Sequence, residues 1–450
     1  MNIDIKNEYL QASDIIRDFF ESAKRRLNRP IYLLIDEYDH FANELLSFNL
    51  ELFKKSITSQ GFVRNFYEEI KKGTQTIVER IFMTGVSPIM LDSLTSGFNI
   101  TMNISLDKEF NGMLGFMKKE VKEILEYYEI YSEDLLKEME ENYNGYRFNP
   151  DAKTTIYNPD MVFYFIIKYR KENKSPEKII DDNIISDYKK VQNLFKLGEL
   201  IGIKITEDTK ERKKESERII IGNLLNEILL KERTPITELT TMFTPERRIE
   251  IKDIKSLLYY LGFLTMEKEG IITYLKIPNY SMKKIYSDYF TEYIEENLTE
   301  YIDPEEIETG IREMIINGKI DLFARGIEKI LQKLDNRIYM GFDEKYIKLL
   351  MYSYLVLSPY LTVKMEYPVE KGYIDIAIFR RYNDVPYESI IEVKYIKQNE
   401  FSEEKLKRKI KESREQIERY KKSYELNYKK IKKYIVIFVG KEVKYIEEME

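Results

Sequence analysis

The chain has 450 residues, enough for several domains, with 43% apolar residues to fill their cores and 33% charged residues. It has no cysteine and a single histidine, His40. That excludes disulfides, thiolate metal centres and a zinc site of His and Cys, and leaves any catalytic metal to oxygen ligands, the preference of Mg²⁺ and Mn²⁺. The net charge of -6 names no partner. No stretch reaches the roughly 18–20 apolar residues of a membrane span, and the N-terminus lacks a basic-then-apolar signal pattern, so the expected location is the cytoplasm.

In chain order, residues 8–28 place Leu10, Ile15, Ile16, Phe19, Phe20 and Ala23 three to four apart and predict an amphipathic helix that ends at Pro30. Ile31-Tyr-Leu-Leu-Ile35 is a continuous apolar run, the pattern of a parallel strand buried on both faces, and it stops at Asp36-Glu37-Tyr38-Asp39. A second strand is expected over 80–85, with helical pattern between the two, which argues for a parallel α/β sheet. Residues 113–142 read as helices. A turn-rich patch follows, Asn144-Gly145-Tyr146-Arg147-Phe148-Asn149-Pro150 and then Tyr157-Asn158-Pro159, with mostly helical pattern beyond 160. The charge run 206–217 reads as a solvated loop or helix face. Residues 237–243 and 251–261 predict helices and 262–277 a β-hairpin. That outline fits a winged helix or, equally, a small helical spacer. Residues 301–335 read as a helical connector.

A new unit is expected from 342: an amphipathic helix over 343–357, strands over 360–367, 372–380 and 389–395, a charged helix over 402–425 and a last strand over 433–439 closed by Gly440. Gly372-Tyr-Ile-Asp375 puts an aspartate in the second strand, and Glu392-Val-Lys394 lies near the end of the third. Carboxylates on neighbouring strands can meet one hard cation, and Lys394 shares the face of Glu392 by the two-residue period. Gln416 and Tyr420 are one helical turn apart on one face. A Glu-x-Lys triplet alone carries nothing, since Glu120-Val-Lys122 and Glu442-Val-Lys444 repeat it. The bland alternative is a pair of strand-edge charges in solvent. Both acids, however, interrupt apolar strands, where an uncompensated charge is costly. Residues 405–433 hold 13 Lys/Arg against 4 Asp/Glu, which reads either as a phosphate-tracking surface or as a solvated helix face.

The helix, three strands, helix, strand order and the residues on it resemble the PD-(D/E)XK nuclease superfamily in its RecB-type form, with motifs GxxD, (D/E)xK and QxxxY. The resemblance implies an αβββαβ fold and Mg²⁺ or Mn²⁺ held by Asp375 and Glu392, with Glu344 as a weaker third ligand where the family often keeps an acid. It also implies Lys394 as a group that orients water or neutralises charge, Gln416 and Tyr420 as braces or substrate contacts, and nucleic acid, DNA before RNA, as the substrate. The alternative is a non-catalytic nucleic-acid-binding or regulatory protein that retains the folds.

Over most of its length the chain resembles the AAA-ATPase-like family of bacterial proteins that end in such a nuclease domain, through Ile31-Tyr-Leu-Leu-Ile-Asp-Glu-Tyr-Asp39, Arg80-Ile-Phe-Met-Thr-Gly-Val-Ser-Pro88, Asn142-Tyr-Asn-Gly-Tyr-Arg-Phe148 and Ile156-Tyr-Asn-Pro159. It implies a Walker B strand, with Asp36 holding Mg²⁺ through water, Glu37 polarising the hydrolytic water and Thr84 sensing the γ-phosphate. One departure is decisive. The phosphate loop GxxxxGK[ST] is absent, because neither Gly318-Lys319 nor Gly440-Lys441 is followed by Ser or Thr. The chain therefore reads as N-terminally truncated, a split reading frame, or half of a two-chain enzyme, binding ATP only if a missing segment or partner chain supplies the loop and first strands. The expected architecture is an α/β multi-domain protein: a partial P-loop-type domain over 1–165, a helical and winged-helix-like connector over 166–335, and the nuclease-like domain over 336–450.

Overall fold

The structure is a computed structural model that describes residues 11–39, 62–86, 100, 102–181, 184, 224–225, 227–241, 250–335, 343–370, 372–420 and 431–449. His40, the charge run 206–217 and the last part of the expected 402–425 helix lie outside the described residues. The chain divides into two compact units, one of residues 1–163, 181–218 and 233–278, the other of residues 164–180, 219–232 and 279–450.

The elements run α1 (Ala12–Arg26), β1 (Ile31–Ile35), α2 (Phe62–Gly73), β2 (Val78–Met83), α3 (Lys118–Tyr127), α4 (Glu133–Tyr143), α5 (Pro159–Glu172), β3 (Arg233–Ile236), α6 (Ile251–Tyr260), β4 (Thr265–Glu269) and β5 (Ile272–Lys276). They continue with α7 (Tyr280–Glu296), α8 (Pro304–Asn317), α9 (Asp321–Lys333), α10 (Glu344–Leu357), β6 (Leu361–Val369), β7 (Gly372–Arg380), β8 (Glu388–Ile396), α11 (Glu403–Tyr420), β9 (Ile431–Val439) and β10 (Glu442–Met449).

In the first unit, β1 and β2 pair in parallel, as the strand, helix, strand spacing predicts. The expectation that β1 is buried on both faces is corrected. Strand side chains alternate, and Ile31, Leu33 and Ile35 pack with Ile81 and Met83 against Phe20 and Ala23 of α1 and Val63, Tyr67 and Ile70 of α2. Tyr32 and Leu34, on the other face, are 64% and 76% exposed. A second small sheet has the order β3-β5-β4, antiparallel throughout. The hairpin β4–β5 and helix α6 fall where expected. The helix expected over 237–243 does not form over 237–241, the part that is described, and a strand not foreseen, β3, stands just before it. Pro235 within β3 is tolerated because β3 pairs on one side only, so its missing N–H breaks no ladder.

In the second unit, a five-stranded sheet has the order β10-β9-β8-β7-β6, with β8 and β9 parallel and the other neighbours antiparallel. Helix α10 packs on β6, β7 and β8, and α11 on β8 and β9. Ile347 to Val356 of α10 are buried without interruption, so this helix is core rather than amphipathic surface. The helix, three strands, helix, strand order is as expected. Gly440, with φ of +57°, does not end the sheet but turns the chain into β10, which the sequence reading lacked. No described helix is long and apolar enough to cross a membrane.

Candidate active site

Asp375 lies in the middle of β7 and Glu392 in β8, and the antiparallel register that pairs Ile376 with Ile391 brings them opposite each other one step on. At that step the ladder gives way to a side chain, for the Val393 N–H donates to Asp375 Oδ2 at 2.8 Å. Lys394 Nζ is 2.5 Å from Glu392 Oε1 and 3.9 Å from Asp375 Oδ2, so one ammonium faces both carboxylates. Helix α10 adds two groups. Asp343 caps it by accepting the N–H groups of Lys345 and Tyr346, which fixes the first turn where Glu344 sits. Glu344 accepts the Tyr395 N–H at 3.3 Å and lies 3.9 Å from Lys394 Nζ. One turn on, Lys348 reaches Asp375 Oδ1 at 2.5 Å, Glu366 at 3.3 Å and Glu344 at 3.6 Å. Glu366 itself lies on β6 between the pairs Met365–Ile376 and Tyr367–Ile374, across from Asp375.

The remaining two expected residues brace this arrangement. The Tyr420 hydroxyl donates to the Tyr373 carbonyl at 2.6 Å, two residues before Asp375, and Gln416 hydrogen bonds that same hydroxyl. Gly372 has φ of +143°, a conformation side chains rarely adopt, and a Cβ there would stand 3.5 Å from the Tyr420 ring. The QxxxY tyrosine thus anchors β7 at Tyr373, one residue past the GxxD glycine.

Asp375, Glu392, Lys348 and Lys394 are all buried. Burial, and then Asp375, push the Glu392 carboxyl up to about 7 against the pull of Lys394 and Lys348. Burial alone would lower both lysines. Asp375 with Glu366 and Glu344 outweighs it at Lys348, and Glu392 with Asp375 at Lys394, so both ammoniums are held above the ordinary lysine range. Burial, then Glu392 and Asp375, raise the Tyr420 hydroxyl and keep it a neutral donor.

In the first unit, Asp36, Glu37 and Thr84 also come together, at the C-terminal ends of the parallel pair where α/β sheets bind ligands. Thr84 Oγ1 donates to Asp36 Oδ1, which also accepts the Glu37 N–H at 3.1 Å. Glu37 has φ of +51°, and a strained non-glycine residue at a strand end is a common companion of a functional site.

Residues 342–448 match the family model of the PD-(D/E)XK nuclease superfamily, and residues 2–95 match the one described as a predicted AAA-ATPase. The chain carries an AAA-ATPase-like domain and a PD-(D/E)XK nuclease superfamily domain. No curated protein matches it.

Nucleases of the PD-(D/E)XK superfamily commonly use divalent metals. The donor set here fits one: Glu392 is 1% exposed and its Oε2 has no hydrogen-bond partner, a buried oxygen with unspent coordinating capacity beside the Asp375 carboxylate. Among the described residues, no three acidic side chains gather as a ready-made cation cage, because the Lys348 and Lys394 ammoniums stand between the carboxylates. Sequence reasoning missed Lys348 and Glu366. Lys348 left a signal, a lone lysine inside the apolar run of α10 four residues after Glu344. Glu366 could be found only from the register of β6 on β7.

Proposed function

We propose that this protein is a divalent-metal-dependent nuclease that hydrolyses phosphodiester bonds of nucleic acid, DNA before RNA, joined to an AAA-ATPase-like module whose phosphate loop is not among these 450 residues. The observation that carries the reading is the convergence of Asp375, Glu392 and Lys394 on adjacent buried strands with one Glu392 oxygen unspent. Asp375 and Glu392 would hold Mg²⁺ or Mn²⁺, with Glu344 as a further carboxylate. Such a metal, when bound, lowers the pKa of a water and stabilises charge on the phosphate. Lys394 would orient the attacking water and screen the charge that develops on the phosphate oxygens. Tyr420 and Gln416 hold β7, and with it Asp375, in place.

Purified protein given Mg²⁺ and duplex or single-stranded DNA is expected to cut it. Asp375→Ala, Glu392→Ala and Lys394→Ala should each slow cleavage by at least about a hundredfold, close to 3 kcal/mol of transition-state stabilisation, with unchanged circular dichroism. Cleavage that survives all three substitutions would sink the assignment. A binding module without catalysis would instead give salt-sensitive binding that Asp375→Ala leaves alone. The basic stretch that favours such a module in the sequence is weaker in the fold. On α11, Lys405, Arg408, Lys409, Lys411 and Arg414 each pair with a glutamate.

For the rest of the chain we assign 1–165 to the AAA-ATPase-like domain, 166–335 to the connector and 336–450 to the nuclease domain. The compact units share the connector between them, residues 181–218 and 233–278 going with the first and the rest with the second. The order β3-β5-β4, with α6 between β3 and β4 in the chain, supports a winged-helix reading of 233–276 and a supporting grip on nucleic acid. Asp36, Glu37 and Thr84 would serve a nucleotide whose phosphates are cradled by a loop from another segment or a partner chain. The location we propose is the cytoplasm.

A further inference from the structure

The nuclease reading gives Asp375 a cation to hold, and Asp375 already holds one. Its Oδ1 is 2.5 Å from Lys348 Nζ, its Oδ2 accepts the Val393 N–H at 2.8 Å, and Glu392 Oε1 is taken by Lys394 at 2.5 Å. Of the four oxygens on these two carboxylates, only Glu392 Oε2 is left over. Lys348 stands in the most buried helix of its unit, and a buried ammonium is tolerated only when paired. Its closest partner is the residue on which the proposed reaction depends. Two other carboxylates are within reach, Glu366 at 3.3 Å and Glu344 at 3.6 Å, and both are more exposed than Asp375. Lys348 can therefore let go of Asp375 without losing its counter-charge. The charges also balance. Glu344, Glu366, Asp375 and Glu392 against Lys348 and Lys394 leave two negative charges when all are ionised, the charge that one divalent cation cancels.

The geometry points to Lys348 as a positioning residue that competes with the divalent cation for Asp375: it pins the carboxylate before the cation binds, and turns to Glu366 and Glu344 when the cation enters. The inference rests on the nuclease reading of the same site. Lys348 keeps Asp375 aimed between the strands at the cost of weaker metal binding, so the site loads only when metal is plentiful enough to displace an internal ammonium.

The test is Mn²⁺ titrated into the purified full-length chain, followed by calorimetry and by the electron paramagnetic resonance of free Mn²⁺. It compares wild type, Lys348→Met, Lys348→Gln and Lys348→Arg, with Asp375→Asn marking the site. Lys348→Met and Lys348→Gln are expected to bind Mn²⁺ at least about tenfold more tightly, the effect of removing one unit charge roughly 6 Å from a divalent ion under water-like screening, which is the lower bound for a buried site. Lys348→Arg should keep wild-type affinity, and Asp375→Asn should lose the binding. In chelator the Met and Gln variants should melt earlier than wild type, because the buried Asp375 loses its nearest counter-charge and keeps only the Val393 N–H and the more distant Lys394, and Mn²⁺ should raise their midpoints by more than it raises that of wild type. A lysine with only a structural role would give the earlier melting with equal or weaker Mn²⁺ binding, and that result overturns the inference. Lys348→Gln keeps a donor of intermediate length, so it decides the matter should Lys348→Met not fold. If wild type binds Mn²⁺ and the neutral variants bind no better, the competition falls and the nuclease reading stands. If none of the proteins binds, both fall. Binding by the neutral variants alone would be the strongest form of the expected result.

Discussion

Lys284, on α7, couples this fold to pH. Its ammonium is 3.2 Å from the Ser358 carbonyl, and burial, helped by the nearby Arg381 guanidinium, holds its pKa down to about 7. In the unfolded chain a lysine titrates near ~10.4. Above that value both states are neutral and Lys284 costs nothing. As the pH falls below it the unfolded chain takes up the proton first, so the folded state loses ground until about pH 7, below which the cost is constant. This group therefore makes stability rise from pH 7 toward pH 10. Lys284→Met should raise the melting temperature at pH 7 and flatten its rise with pH, and two parallel curves would show that the ammonium is solvated. Nothing in the sequence singles this lysine out, because what surrounds it, the Ser358 carbonyl and Arg381, comes from far along the chain. Asp375, Glu392 and Lys394 were legible because charge interrupts apolar strands and so betrays itself locally. Lys348 and Glu366 were not, because their meaning lies in which strand and helix they face, and cross-strand register is a long-range property.

At the scale of elements, the turn Asn144-Gly145-Tyr146-Arg147-Phe148 was legible as a motif but not as a joint. In the fold it fastens to the small sheet and helix that follow it by more than a hundred residues. The Arg147 N–H donates to Thr265 Oγ1 at 2.7 Å, the Met266 N–H to the Arg147 carbonyl at 3.4 Å, and the Tyr259 hydroxyl to the Phe148 carbonyl at 3.0 Å. Gly145 makes the approach possible, with φ of +106° and the Pro278 carbonyl where a Cβ would stand. Gly145→Ala meets both a forbidden backbone region and a backbone clash, so it should destabilise the first unit by about 2 kcal/mol or more. Calorimetry or proteolysis should detect earlier opening of residues 102–163 and 233–278, with Mn²⁺ binding at the nuclease-superfamily domain unchanged. A wild-type melting profile would mean that the turn relaxes at no cost. The elements that the sequence concealed share a cause. β3 is four residues long and contains a proline, and half of β10 is charged, so neither carries a sustained apolar alternation of its own. Both exist because a neighbouring strand offers them hydrogen bonds.

For the whole molecule the question is what the ATPase-like domain contributes when no phosphate loop stands among these 450 residues. Asp36, Glu37 and Thr84 are assembled at the ends of β1 and β2 with mutual hydrogen bonds, so the group proposed to face the metal and γ-phosphate is formed by these two strands. Most of the affinity of such sites for nucleotide, however, comes from backbone amides that wrap the phosphates, together with the loop lysine. No Gly-x-x-x-x-Gly-Lys-[Ser/Thr] sequence exists anywhere in the 450 residues. A pair of carboxylates repels a bare polyphosphate, and when Mg²⁺ comes bound to the nucleotide that one ion is all they hold it by. The chain by itself should therefore show no micromolar binding of ATP·Mg²⁺ by calorimetry, and ATP should leave DNA cleavage unchanged. A polypeptide carrying a phosphate loop and its strand should create both the binding and an ATP effect on cleavage. If the purified chain alone titrates with ATP at micromolar Kd, the nucleotide is held by residues other than a phosphate loop, and the division of labour between the two domains argued here is wrong.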